Sequence, residues 1–238
     1  MLQSEHSFLE INMNTLFCFD LPKRNKPFFH TSWLAKYLSG NSTCGLALYT
    51  LANFKVPSES SPELLQYNVI HRKAVAKVEQ EYRSKGYEVF VEDANQFWIN
   101  TTIGASLSGT PDLVALSSQE SKIIEVKTGQ LSEESQLKDQ AQLEIYMSCA
   151  PKVGLHEIKS IPQGELIYFN GDTEIQRISI PPDQVNHQSW REAVTNITKI
   201  ATTTSPPEPK PSAKECAFCR IRLMCPAAFK IPSGEADF

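Results

Sequence analysis

The sequence contains no run of about 18 apolar residues, so no helix is expected to cross a membrane. Its opening residues, MLQSEHSFLEINMN, carry acids and lack a basic stretch ahead of an apolar one. They do not read as a secretory leader, and a cytoplasmic location with no membrane partner is expected. A positive surplus is also missing: 23 Lys and Arg against 27 Asp and Glu leave a formal net charge of −4. That excludes a protein that coats nucleic acid over its whole surface, because neutralising phosphates needs Lys and Arg. It leaves room for a local basic groove and for a site built of carboxylates. Neither an internal repeat nor a Walker motif is found. What is present is ordinary globular composition, 41% hydrophobic and 21% charged over 238 residues, enough for one sizeable domain with appended segments.

Four segments are expected. Residues 1–31, with the LPKRNKPF stretch, form an N-terminal arm or short edge element. Residues 32–201 form the core, 202–213 (TTTSPPEPKPSA) a Pro-rich linker, and 214–238 a cysteine-rich segment with a loose tail. Within the core, SWLAKYLSGNSTCGLALYTL suggests two short helices broken at Ser39–Gly40. Ser61 before Pro62 predicts the start of a long helix to about Lys85, with Leu65, Val69, Ala76 and Val78 as its apolar stripe and Gly86 past its end. The period then changes to two, predicting strands over 87–92, 96–102, 110–116 and 122–128. A helix over 133–149 ended by Pro151, a hairpin around Asn170-Gly171, and a helix from Pro181-Pro182-Asp183 to Ala201 complete the pattern. This order implies an α/β core with a mixed sheet flanked by helices.

Phosphodiester cleavage needs a polarised phosphoryl group and an activated water; divalent metals supply both, and carboxylates hold the metals. In KIIEVKT, Glu125 and Lys127 stand two apart, so a strand points them to one face and sends Ile124 and Val126 to the other. A Glu-x-Lys triplet alone is a weak signal, more often a solvated strand face with a surface ion pair. Four occur here, at Glu120, Glu125, Glu157 and Glu208. Only Glu125 follows a Gly-x-Pro-Asp segment, ending at Asp112, and precedes an amphipathic helix. That helix carries Gln142 and Tyr146 four residues apart on one face, beside an apolar stripe of Leu137, Ala141 and Ile145. His71 lies on the preceding long helix.

The succession of His71, GTPD ending at Asp112, Glu125-Val-Lys127 and Gln142-Leu-Glu-Ile-Tyr146 resembles the RecB-type motifs of the PD-(D/E)XK nucleases, from about residue 32 to 226. The resemblance implies a restriction-endonuclease-like core. It implies that His71, Asp112 and Glu125 hold Mg²⁺ or Mn²⁺, that Lys127 assists the attacking water, and that Gln142 and Tyr146 complete the site. Thr110 stands where arginine is more frequent in that family, which touches no metal ligand.

Six cysteines are present, Cys18, Cys44, Cys149, Cys216, Cys219 and Cys225. In a reducing compartment they are not expected as disulfides. ECAFCRIRLMCP spaces three of them C-x₂-C-x₅-C, one short of a four-ligand site; Cys44 is the best fourth, with Cys18 and Cys149 weaker. One early and three late cysteines resemble the iron–sulfur branch of the RecB-type nucleases, which includes the CRISPR-associated adaptation exonuclease and the AddB nuclease subunit. The resemblance implies a structural [4Fe–4S] cluster on Cys44, Cys216, Cys219 and Cys225; zinc and incidental thiols are the alternatives. Joining Cys44 to Cys216, 172 residues apart, would close a very long loop and tie the C-terminal segment to the N-terminal helices. Arg72, Lys73, Arg220 and Arg222 are the expected phosphate contacts, and Trp98, Tyr146 and Phe218 the expected base-stacking groups.

The expected function is a metal-dependent DNA nuclease acting on single-stranded DNA or free ends, in CRISPR adaptation beside an integrase complex, in repair or in defence. A non-cleaving binding module of the same fold and an RNA-directed nuclease are the rival expectations.

Overall fold

The computed structural model describes residues 21–57, 62–225 and 227–228. Most of the expected arm, Cys18, Ser61, Pro226 and the tail lie outside the described residues. The chain begins with strand β1 (Phe28–His30), α1 (Thr31–Leu38), α2 (Gly45–Asn53) and α3 (Pro62–Ser84). Strands β2 (Glu88–Val91), β3 (Phe97–Asn100), β4 (Ser106–Gly109), β5 (Leu113–Leu116) and β6 (Ser121–Thr128) follow. Then come α4 (Glu133–Val153), β7 (Gln163–Asn170), β8 (Thr173–Ile180), α5 (His187–Ala201) and the short α6 (Ala213–Ala217).

The strands form two mixed sheets. A five-stranded sheet runs β2-β5-β6-β7-β8, and a three-stranded one runs β1-β4-β3. In the larger sheet β6 is central: antiparallel to β5, with Leu113 opposite Ile124, and parallel to β7, with Lys127 opposite Tyr168. The parallel step from β6 to β7 needs a crossover, and α4 supplies it. Alternation along β6 then sorts its side chains. Ile124 and Val126 join Leu113, Ala115, Ile167 and Phe169 beneath Ala74, Val75, Val78 and Tyr82 of α3. Ile123 faces the other core, with Leu166 and with Leu143 and Met147 of α4. The expected α/β core with a mixed sheet flanked by helices is therefore found, divided over two sheets.

Several local expectations need correction. The strand expected over 110–116 starts only at Leu113, and β4, which precedes it, leaves for the second sheet. Pro111 explains the break, since it has no N–H for a ladder. Helix α4 runs through Pro151 to Val153, where Gly154 caps it at φ 62°. Pro151 removes a single donor near the helix end, and buried Met147, Cys149 and Ala150 hold the turn in place. The last long helix starts at His187, not at Pro181; Pro182–Gln184 is one 3₁₀ turn, and the Asn186 side chain accepts the Ser189 N–H as the true cap. On α3, Leu65 and Val69 are exposed, since none of its described side chains from Pro62 to Lys73 is buried; Ala76 is exposed farther along, while Val78 is buried as expected. On α4 Leu137 is exposed, and buried Asp139 and Gln142 take part of the expected apolar stripe.

A buried charge network sets the rotation of α3. Glu165, 4% exposed on β7, accepts from Tyr82 Oη at 2.5 Å and Lys122 Nζ at 2.9 Å. Arg177 links it to Glu81, with Nη2 2.8 Å from Glu81 Oε2. His71 lies three turns before Tyr82 on the same helix, so this anchoring also decides where His71 faces.

Gly109 closes the opposite side. A Cβ built there would come within 2.5 Å of the Tyr146 ring and 2.7 Å of the Phe97 ring, and those rings pack edge to face at 6.0 Å. Gly109→Ala is expected to destabilise the fold by about 1–3 kcal/mol through overpacking, measured as a lower urea midpoint at unchanged slope.

Candidate active site

Register brings the motif residues together. Asp112 directly precedes β5, and Leu113 pairs with Ile124, so the Asp112 side chain meets the next residues of β6. Its Oδ2 accepts the Val126 N–H at 2.7 Å, and its Oδ1 lies 3.3 Å from His71 Nε2. The bond to Asp112 raises the His71 imidazole above its ordinary value, against the opposing effect of burial.

Glu125 points toward α4 and is 3% exposed. Its Oε1 accepts from Lys127 Nζ at 2.6 Å and from Gln142 Nε2 at 2.9 Å, while Oε2 is buried with no partner. Burial, and then the charge of Asp112, push its carboxyl well above the ordinary range; Lys127 opposes them. Burial alone would pull the Lys127 ammonium down, but Glu125, Asp112 and Asp139 together hold it above its usual value. Gln142 also donates to Tyr146 Oη at 2.9 Å. Tyr146 is 2% exposed, so the expectation that it stacks on a base fails: its ring is locked between Phe97 and Gly109. The structure thus brings His71, Asp112, Glu125, Lys127, Gln142 and Tyr146 into one connected group.

Asp139 is the member that sequence reasoning missed. It is 3% exposed on α4, with Oδ1 3.8 Å from Lys127 Nζ and 3.1 Å from Lys138 Nζ. It lies three residues before Gln142 on the same helix, a spacing that could have signalled it.

The geometry joins the carboxylate of Asp112, just ahead of β5, to Glu125 and Lys127 of β6, between two helices. A family model described as the PD-(D/E)XK nuclease superfamily matches residues 48–226, three quarters of the chain. The chain belongs to the PD-(D/E)XK nuclease superfamily. Membership implies nuclease chemistry, hydrolysis of a phosphodiester in nucleic acid, and PD-(D/E)XK nucleases generally use divalent metals such as Mg²⁺. Among solved structures, one described as "Crystal structure of SSO0001" is similar at 17% identity with a TM-score of 0.50, over 87% of this chain and 89% of that one. It supports the fold alone. No curated protein matches the chain in sequence.

The residues fit a hard divalent cation. Glu125 Oε2 and His71 Nδ1 are buried without partners, and a buried carboxylate oxygen lacking a donor is costly unless a cation meets it. Among the described residues no three His, Cys, Asp or Glu side chains are already gathered as a metal cage.

The cysteine segment docks where expected. Glu215 Oε1 accepts the Thr43 hydroxyl at 2.8 Å, and its Oε2 accepts the Cys44 N–H at 3.2 Å. Ile221 packs on Leu46 and Ala47. Cys44, Cys216, Cys219 and Cys225 line one cavity of about 330 Å³. Burial raises the Cys219 thiol, and Cys44, Cys216 and Cys225 each raise it further, as neighbouring thiols do. Cys149 is buried in the main core, among Leu143, Met147 and Ala150.

Of the expected phosphate contacts, Arg72 and Lys73 are exposed on α3, while Arg220 donates to the Val56 carbonyl at 3.3 Å. Lys36 and Lys138 were not expected. Lys36, Lys138 and Arg220 line one cavity, and burial, then the charges of Lys138 and Arg220, hold the Lys36 ammonium below its ordinary value. Trp98 and Phe218 are exposed, as base-stacking groups must be.

Without added metal, the His71 imidazole is expected to titrate above its ordinary value of 6.5 by NMR, and Asp112→Asn should bring it back down, since both the hydrogen bond and the charge of Asp112 are then lost while burial remains. The folded value exceeds the unfolded one. The pair's stabilisation is therefore full below about pH 6.5 and disappears as pH rises through the raised value.

Proposed function

We propose that the chain is a divalent-metal-dependent deoxyribonuclease acting on single-stranded DNA or on free ends, as an exonuclease or end-processing enzyme. The observation that carries this reading is the pair formed by Asp112, held on the Val126 N–H, and Glu125, buried with one oxygen unpartnered. Asp112 and Glu125, with His71, would hold Mg²⁺ or Mn²⁺. When bound, such an ion polarises the phosphoryl oxygen and acidifies water. Lys127, fixed by Glu125 and Asp139, presents a fully protonated ammonium to the attacking water and to charge on the phosphoryl group. Gln142 keeps Glu125 and Tyr146 in register. Arg72, Lys73, Arg220 and Arg222, joined by Lys36 and Lys138, supply the cations for a phosphate backbone.

The shared cavity of Cys44, Cys216, Cys219 and Cys225 supports a structural [4Fe–4S] cluster, with zinc as the lesser alternative. The small basic patch on an acidic protein suits local contact with nucleic acid, and end trimming in CRISPR adaptation with an integrase, or in repair or defence, is the proposed setting.

Purified protein with Mn²⁺ is expected to degrade labelled single-stranded DNA, and to lose about a hundredfold or more in rate on Asp112→Ala or Lys127→Ala. DNA binding without cutting would favour a non-cleaving module. Faster cutting of RNA would favour the RNA-directed reading, and equal cutting of circular DNA would overturn the preference for ends.

Protein purified without oxygen is expected to be brown with about four iron atoms per chain, and Cys219→Ser should abolish the colour. A colourless protein carrying stoichiometric zinc would overturn the cluster.

A further inference from the structure

Behind Asp112 lies a second set of contacts that neither nuclease chemistry nor the cysteine segment accounts for. Asn95 ends the 3₁₀ turn Glu92–Asn95 between β2 and β3, and it is fully buried. Its Nδ2 faces the carbonyls of Phe90 at 3.0 Å, Pro111 at 3.1 Å and Asp112 at 3.4 Å. Only the amide NH₂ can meet carbonyl oxygens, so the orientation of the side chain is fixed. Its Oδ1 then faces His156 Nε2 at 2.9 Å, and that nitrogen must carry the hydrogen. The His156 ring lies flat on Phe90, 3.7 Å between centroids and 13° between planes. The Asp112 carbonyl also accepts the Glu92 N–H at 2.9 Å.

The backbone marks the same place. Among the described residues, the non-glycine residues with positive φ are Glu92 (42°), His156 (46°) and Glu157 (63°). All three belong to this network or adjoin it. Such conformations are unfavourable for residues bearing a Cβ and persist only where the surroundings enforce them. A glycine at 156 would relieve the backbone, yet the position carries an imidazole that reaches from the end of α4 to the turn behind Asp112.

We propose that Asn95 and His156 are positioning residues for Asp112. His156 holds the Asn95 amide, and Asn95 holds the Pro111 and Asp112 carbonyls. The Asp112 carboxylate is thereby kept on the Val126 N–H and beside His71, where it would act as a ligand to a divalent cation. This inference rests on the reading of Asp112 as a metal ligand. Neither residue touches substrate or metal; each acts through the peptide that carries the ligand, as hydrogen-bond partners behind metal sites do.

The test is calorimetric titration of Mn²⁺ into the full chain, with melting curves recorded on every variant. His156→Gly suits the left-handed backbone and is expected to stay folded while weakening Mn²⁺ binding by about tenfold or more. His156→Gln keeps an N–H donor on an equally strained backbone and should recover most of that loss. Asn95→Ala should weaken binding further, although its burial makes its melting temperature fall as well. Wild-type Mn²⁺ affinity in folded His156→Gly, with binding lost in Asp112→Ala, would overturn the positioning role and leave the metal reading of Asp112 standing. Unchanged affinity in Asp112→Ala would overturn that reading and the inference with it.

Discussion

The hydrogen bond from the Val126 N–H to Asp112 Oδ2, at 2.7 Å, is the contact on which the site depends. It ties the residue just before β5 to the middle of β6 and fixes how far one carboxylate stands from the other. Pro111 stops the preceding strand, so the Asp112 side chain is free to bend back onto β6 instead of projecting from a sheet face. Everything else is arranged around that bond. His71 approaches from α3, and Glu125 and Lys127 lie on the face turned to α4. Gly109 lets Tyr146 close the floor, because any side chain there would displace an interlocked pair of rings.

Gathering this much charge has a cost that the surrounding groups only partly offset. Glu125 is desolvated and stands near Asp112, and both effects disfavour its charged form. Lys127 answers one oxygen of Glu125 and leaves the other bare. Asp139 adds a third carboxylate near Lys127, which keeps the ammonium protonated despite burial. A site with a buried, orphaned carboxylate oxygen is electrostatically incomplete by itself. A divalent cation is the species that such a donor set suits.

Two ties between distant segments hold this arrangement. Glu165 gathers Tyr82, Lys122 and Arg177, which locks α3 over the sheet and aims His71. Glu215 grips Thr43 and the start of α2 from 172 residues away, which brings the late cysteines to Cys44. The second tie is built of exposed or half-buried hydrogen bonds, each of modest worth. A metal group on the four thiols would strengthen it by constraining the unfolded chain.

By itself the sequence determined most of the elements, their order and the carboxylate–lysine motif, because strand alternation at Ile123–Lys127 and the Gly-x-Pro-Asp segment are local signals; β4 and α6 were not among the expected elements. It also pointed to the superfamily through residues whose spacing survives without any knowledge of contacts. The start of α5 and the passage of α4 through Pro151 were hidden, since a capping Asn186 and buried Met147 and Ala150 outweighed the prolines. The division into two sheets, the exposure of Leu65, Val69 and Leu137, and the burial of Tyr146 were decided only by tertiary packing. So were Asn95 and His156, whose partners lie on other elements, and the approach of Asp139 to Lys127. Burial and partner choice depend on which segments meet in space, and hydrophobic period along one segment carries no information about the segment opposite.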